Sequence, residues 1–421
     1  MKINKNAALG FIFATVLIDV IGLAVIIPVV PTLISQLGHE DLSHASRDGS
    51  LLVVTYAIMQ FLFSPIIGGL SDRYGRRPVL LISLLGFGLD YIFQAAAPTL
   101  TWLFIGRALA GITGASFTTA SAYIMDISEP EKRAQNFGVM YSAFGLGFII
   151  GPFIGGISAD WGIRAPFIVA AGLSLLNVLV GYFILPESLK PENRRAFDWK
   201  RANAFGALKN LRKYPLVSGL VISLTLINIA SHAVQSNWSF FTMFKFQWSE
   251  RTVGYSLTVV GALTVLVQAF LIRLITPKVG VKKAVYYGFS CYAIGLTLFA
   301  FASQGWMMFA ILGIYCLGGI GMPALQGIIS GQVPANAQGE LQGGLTSLMS
   351  ITTIIGPLLM NNLFYFFTKK GAPVHFPGAP FMAGAILMLI SLLFAMYYLK
   401  RRLKPEDIMH DEQAAMASTV H

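Results

Sequence analysis

Charge is what this sequence has least of. Only 12% of its 421 residues are Asp, Glu, Lys or Arg, about half the share of an ordinary soluble domain. At the same time 55% are hydrophobic and the mean hydropathy is +0.67, which places the chain in the membrane class. Cysteine is equally scarce. Cys291 and Cys316 both lie in apolar runs, so neither a disulfide framework nor a cysteine-rich metal site is expected. The six histidines are dispersed, and no P-loop, dinucleotide fingerprint, HExxH or GxSxG occurs. The reading is therefore of a chain that is not an enzyme, with no catalytic residues, no metal and no cofactor. A net charge of +11 is carried by short loops without base-stacking or groove-reading elements, so nucleic acid is not an expected partner.

Long apolar runs are what the sequence has instead. A spanning helix needs about 20 mainly apolar residues, because its backbone bonds must close internally across the bilayer core. Six candidates run near 7–33, 50–70, 79–97, 100–125, 136–157 and 163–185. Six more follow near 214–238, 251–275, 283–303, 305–331, 341–366 and 377–399. No small-residue cleavage site follows the first run, which reads as an anchor and not as a removed signal. The fold expected is an all-α membrane protein of twelve transmembrane helices in two six-helix bundles. The bundles occupy 1–186 and 214–400. A connector at 187–213 is either an amphipathic surface helix or a plain linker, and a tail covers 401–421.

Basic residues set the orientation. With both termini on one side, that side collects 23 of the 30 Lys and Arg and the other collects six, while Arg107 stays within a span. The positive-inside rule then puts both termini and the connector in the cytoplasm. The two halves also echo each other at an offset of 205. Arg73, Gly75 and Arg77 meet Lys278, Gly280 and Lys282, and "IIGPFIGG" at 149–156 meets "IIGPLLMN" at 354–361. Such duplication suits a transporter that opens alternately to each side. The echo has a gap, since Pro277 stands where the first half has Asp72.

Ionisable groups inside spans are functional candidates by default. Asp19 and Asp90 each serve either proton coupling and gating or helix packing, and Gln94 lies one turn beyond Asp90. Arg107 either pairs with an acid inside the bundle or snorkels to the interface. The loop "GGLSDRYGRRPVLL" holds Asp72, Arg73, Arg76 and Arg77, for which Asp126 is a candidate partner. Gly151 and Pro152 mark a hinge or a tight helix contact. Asn228, Ser231, His232 and Gln235 share one helical face that would line a cavity, with His232 either a proton carrier or a neutral hydrogen-bonded ring. Gln60, Gln268 and Gln326 are further polar groups for cargo or for helix pairing.

These residues carry a resemblance. "GGLSDRYGRRPVLL" closely resembles the loop between the second and third helices of the major facilitator superfamily. "GFIIGPFIGG" is similar to the fifth-helix signature of its antiporters. With "LIDVIGLAVIIPVVP", "YAIMQFLFSP", "LDYIF" and "GRALAGITGA", the likeness is to tetracycline-type drug:proton antiporters. The resemblance implies the major facilitator fold in a bacterial inner membrane. It implies export of a small amphipathic or aromatic compound in exchange for protons, by a carrier expected to be a monomer in the bilayer. Asp19, Asp90 and Arg107 would serve proton exchange, Gln60 and Gln268 would lie near the drug, and Asp72, Arg76, Arg77 and Asp126 would form a gating latch. The tetracycline group has a histidine one turn before the helix-eight glutamine and an acid in helix nine, where this chain has Thr264 and Tyr292. Those departures bear on tetracycline, carried there as a magnesium complex, and leave the broader antiporter reading intact. A carrier of a physiological metabolite or siderophore-like solute, and a non-transporting receptor or assembly protein, are the alternatives.

Overall fold

The spans break where backbone chemistry demands it. In the computed structural model, which describes residues 5–114, 116–129, 132–195, 215–333 and 338–401, the first span is helix α1 (Lys5–Val25), four residues of turn, and α2 (Val30–Gly38). Pro28 and Pro31 cannot donate to a continuing ladder, and Pro31 sits in the first turn of α2, where no donor is needed. The other spans of the first half are α3 (Leu42–Tyr74), α4 (Arg76–Ala95), α5 (Leu100–Thr113) with α6 (Ser116–Ile127), α7 (Arg133–Ser158) and α8 (Ala165–Ile184).

The second half holds α9 (Pro215–Gln235), α10 (Trp238–Phe246), α11 (Glu250–Leu266) and, after a π-helical turn at Val267–Leu271, α12 (Ile272–Val279). It continues with α13 (Val281–Phe301), α14 (Gly305–Leu317), α15 (Gly321–Gly331), α16 (Gln338–Thr368) and α17 (Ala379–Arg401). Among the described residues eleven helices are long and apolar enough to span. A twelfth arises if the pair α9 and α10, bent by 41°, is one span. Residues 196–214 and 402–421 lie outside the described residues, and with them most of the expected connector and the tail.

The chain divides into two compact units, Met1–Ala204 with Thr242–Gly261, and Phe205–Phe241 with Ala262–His421. In the first, α1 packs on α7, α4 on α8 and α3 on α5, around a core that includes Ile12, Leu80, Leu84, Tyr123 and Ala143. Glycine permits the α1–α7 approach: a methyl group at Gly151 would lie 2.6 Å from the Ala24 Cβ. Helix α7 itself runs through Pro152 without interruption. The start of α11 belongs to this unit. Thr32 donates to Glu250 at 2.6 Å, Arg251 pairs with Asp160, and Thr258 donates to the Ile149 carbonyl at 3.2 Å.

The second unit is built on α9 and α13 against α17, with α16 beside α9. Its core includes Leu224, Ile227, Phe289, Leu325 and Met388. Trp238 meets Phe299 edge-on at 5.1 Å, and Phe241 meets Phe381 at 4.7 Å, contacts worth about 1 kcal/mol each beyond area burial.

Candidate functional site

The polar groups of the first unit converge where α3, α4 and α5 meet. Asp90 of α4 has a side chain only 1% exposed, so an ionised carboxylate there needs partners to offset its desolvation. It has two. Arg107 of α5 donates from Nη2 to Oδ2 at 2.9 Å, and Gln94, one turn along α4, donates to the same oxygen at 2.5 Å. A charge-assisted bond of this kind is about twice as strong as a neutral one.

The Arg107 guanidinium lies 5.7 Å from the ring centre of Tyr56 on α3. The Tyr56 hydroxyl accepts from Gln60 Nε2 at 3.1 Å, and the same amide donates to the Gly114 carbonyl at 2.9 Å, at the gap between α5 and α6. One chain of contacts thus joins Gln60, Tyr56, Arg107, Asp90 and Gln94. Half-buried Asp19 of α1 lies near the same network, with Tyr91 in the electrostatic reach of Asp19, Asp90 and Arg107 together. Two buried atoms of this network, Asp90 Oδ1 and Arg107 Nε, have no hydrogen-bond partner among the described residues. A buried carboxylate oxygen without a donor is an exception that calls for an explanation in packing or in function.

A second cluster gathers at the α3–α4 turn. Arg76 pairs with Asp72 at 2.5 Å through Nη1 and with Asp126 of α6 at 3.1 Å through Nε, and Nη1 also donates to Ser71 Oγ at 2.6 Å. The guanidinium fork serves several acceptors at once because its donors are fixed in one plane. Arg77 instead donates to the Tyr182 carbonyl at 2.6 Å, with its guanidinium 5.8 Å from the Tyr182 ring. Arg73 stands apart from both carboxylates, over the ring of Tyr74.

Comparison with known proteins identifies the scaffold that carries both clusters. The sequence model described as the Major Facilitator Superfamily matches residues 12–243 and 222–413. This chain belongs to the major facilitator superfamily. It is 41% identical over 389 residues to the class C tetracycline resistance protein of Escherichia coli, covering 92% of this chain and 96% of that one. To the class H tetracycline resistance protein of Pasteurella multocida it is 35% identical, covering 96% and 99%. Its fold is similar to the crystal structure of the human organic anion transporter MFSD10, with a TM-score of 0.69, 22% identity, and 94% and 100% of the chains covered. A bacterial homolog of the human lysosomal transporter Spinster gives a TM-score of 0.75 at 16% identity over 96% and 100%. A member of this superfamily with such relatives is a secondary transporter and not an enzyme.

In this facilitator the polar residues of α9 have different partners. Asn228 donates to the Leu224 carbonyl at 2.8 Å, Ser231 to that of Asn228 at 2.8 Å, and Gln235 to Ser231 Oγ at 3.1 Å, so these three bond within their own helix. His232 is buried against Gly356 of α16, where a methyl group would overlap its ring. Gln268 lies in the π turn, exposed, and π turns often mark functional positions. Gln326 is half-buried on α15. Tyr56 and Glu187 are functional candidates that sequence reasoning passed over. Tyr56 had a signal, its place one turn before Gln60; Glu187 sits in a polar stretch where nothing local distinguishes it.

Proposed function

We propose that this transporter exports a small amphipathic or aromatic compound, of tetracycline-like character, in exchange for protons across a bacterial inner membrane. The observation that carries the reading is the Asp90–Arg107 pair inside the first unit, with Asp90 Oδ1 uncommitted. The names of the class C and class H relatives support a drug as cargo. With Asp90 ionised, the pair is neutral and locked by Gln94. A proton on Asp90 leaves Arg107 with excess positive charge, so the two protonation states favour different arrangements of the surrounding helices. Cargo and proton compete, and each bound species permits the return that the empty, unprotonated carrier makes poorly. Such alternation requires differential affinity for the two facing states.

Other parts have supporting roles in this reading. Asp19 shares the proton-coupling site, and Gln60, placed on the same network through Tyr56, belongs to the cargo side with Gln268 and Gln326. The Asp72, Arg76 and Asp126 cluster is the latch of one facing state, with Gly151 and Pro152 in the contacts that move. Two bundles, near 1–186 and 214–400, work from a cytoplasmic connector with both termini inside, as 23 basic residues against six support. The test is purified protein in liposomes with an imposed pH gradient and tetracycline as the probe. Cargo-dependent proton movement is expected, and its persistence with Asp19→Asn and Asp90→Asn combined would sink the assignment.

A further inference from the structure

We propose that Glu187 is the positioning residue of the latch, a reading that rests on the latch assignment above. Its carboxylate reaches from the segment after α8 to the start of α4 and fixes where Arg76 meets Asp72 and Asp126. The need arises from backbone chemistry. Helix α4 begins directly after Gly75, which offers no side chain to cap it, so its first N–H groups lack partners of their own. Glu187 supplies both: Arg76 N donates to Oε1 at 2.8 Å and Arg77 N to Oε2 at 3.2 Å. A carboxylate at this end also meets the positive pole of the helix. Leu189 N donates to Oε1 at 3.0 Å and holds the carboxylate from behind.

Gly75 is matched to this arrangement twice. Its φ of +106° is open to glycine at no steric cost. A methyl group there would also overlap the Glu187 carboxylate.

The segment 185–195 is pinned on both sides of Glu187. Leu185 and Leu189 are buried, and Tyr123 donates to the Pro186 carbonyl at 2.8 Å. Ser188 donates to Asp126 Oδ2 at 3.1 Å, and Arg195 N to the Asp72 carbonyl at 3.1 Å. Every member of the latch is therefore touched by one strap: Asp72 and Arg76 through their backbones, Asp126 through its carboxylate. The duplicated loop of the second unit has the same turn, with Gly280 at φ +81°, and among the described residues nothing lies within 4 Å of where its side chain would project. Removing the Glu187 charge should loosen the first turn of α4, let the Arg76 guanidinium wander, and slow the conformational cycle without altering the cargo site.

The full-length protein in liposomes tests this with tetracycline as the probe, using Glu187→Gln and Glu187→Ala beside Asp72→Asn. Hydrogen exchange at the amides of Arg76 and Arg77 should quicken about tenfold in Glu187→Ala, in proportion to the loss of a helix cap, with Glu187→Gln intermediate. Turnover should fall about fivefold in Glu187→Ala with KM within about twofold, the pattern of a lost conformational interaction and not of lost cargo binding. Unchanged exchange in Glu187→Ala, or faster exchange with wild-type turnover, overturns the proposal. If Asp72→Asn slows turnover and Glu187→Ala does not, Glu187 is excluded while the latch survives. Wild-type turnover in Asp72→Asn removes the latch itself, and with it the role given to Glu187.

Discussion

The third and fourth spans of the two units make the sharpest contrast in the molecule. In the first unit α4 and α5 bring together Asp90 and Arg107 at 2.9 Å. In the second, α13 and α14 bring together Tyr292 and Tyr315, with ring centres 4.9 Å apart. Asp90 follows Gly86 by four residues and Tyr292 follows Gly288 by four, so the third span of each half carries a polar side chain past a "GF" pair, an acid in the first and a phenol in the second. The contrast extends along the chain, since no Asp or Glu occurs between Ala262 and Val333 or between Leu341 and Lys400. A duplicated scaffold can thus keep its helix packing while assigning charge chemistry to a single copy. The second unit fills the contact between its third and fourth spans with aromatic area, which stabilises without the desolvation cost of ions.

The largest effect expected is from Asp90→Asn. It removes the ionisable group and leaves Arg107 buried without its acid. Cargo-driven proton movement in liposomes should fall at least about a hundredfold, and stability should drop by ~3–5 kcal/mol, as for other broken buried pairs. Thermal unfolding in detergent reads the second quantity. Next is the double change Asp90→Tyr with Arg107→Tyr, which writes the second unit's solution into the first. Stability should return to within ~2 kcal/mol of the parent while transport stays absent, because the ion pair serves function more than folding. Transport surviving in that variant would break the comparison outright.

The reverse exchange is milder. Tyr292→Asp places an unpaired acid against Tyr315 and Gly318, and should lower stability by ~2–4 kcal/mol without adding a second coupled proton. A rise in the number of protons moved per cargo would show that the second unit can be recruited. Smallest is Asp41→Ala, outside the spans. Burial pushes the Asp41 carboxyl up, but hydrogen bonds from the His44 backbone and ring, with the charge of His44, outweigh it and hold the group below its ordinary value. As the N-cap of α3 it should contribute ~1 kcal/mol. A folded pKa below the unfolded one means that this contribution is present above the ordinary value of 3.8 and is lost as pH falls through the lower folded value. Acid titration of the parent and of Asp41→Ala should therefore converge at low pH and differ near neutrality.

Sequence period and composition go far here. Twelve apolar runs, the duplication and the isolated Asp90 and Arg107 are all legible, because lipid forces long uncharged helices and makes each exception conspicuous. What is not legible is how helices interrupt themselves. The turn at 26–29 has prolines to announce it, but the π turn at Val267–Leu271 and the 3₁₀ turn at Gly318–Ile320 occur in runs that read as continuous. The polar face of α9 shows what periodicity leaves open: four residues at helical spacing suggest one shared surface, and only the structure shows that Asn228, Ser231 and Gln235 bond along their own helix while His232 packs against Gly356 of α16.

By itself, the sequence determines that this protein lives in a bilayer and that the charges well within its spans lie in the first half, and its echo at an offset of 205 suggests that it is built twice. Those facts follow from hydrophobicity and spacing, which are local properties of the chain. Tertiary structure alone decides which polar groups meet. Gln60 joins Arg107 only because Tyr56 bridges them between α3 and α5, and Glu187 reaches Arg76 from 111 residues away. A hydrogen bond depends on a few tenths of an ångström between atoms, and only the packing of whole helices sets that distance.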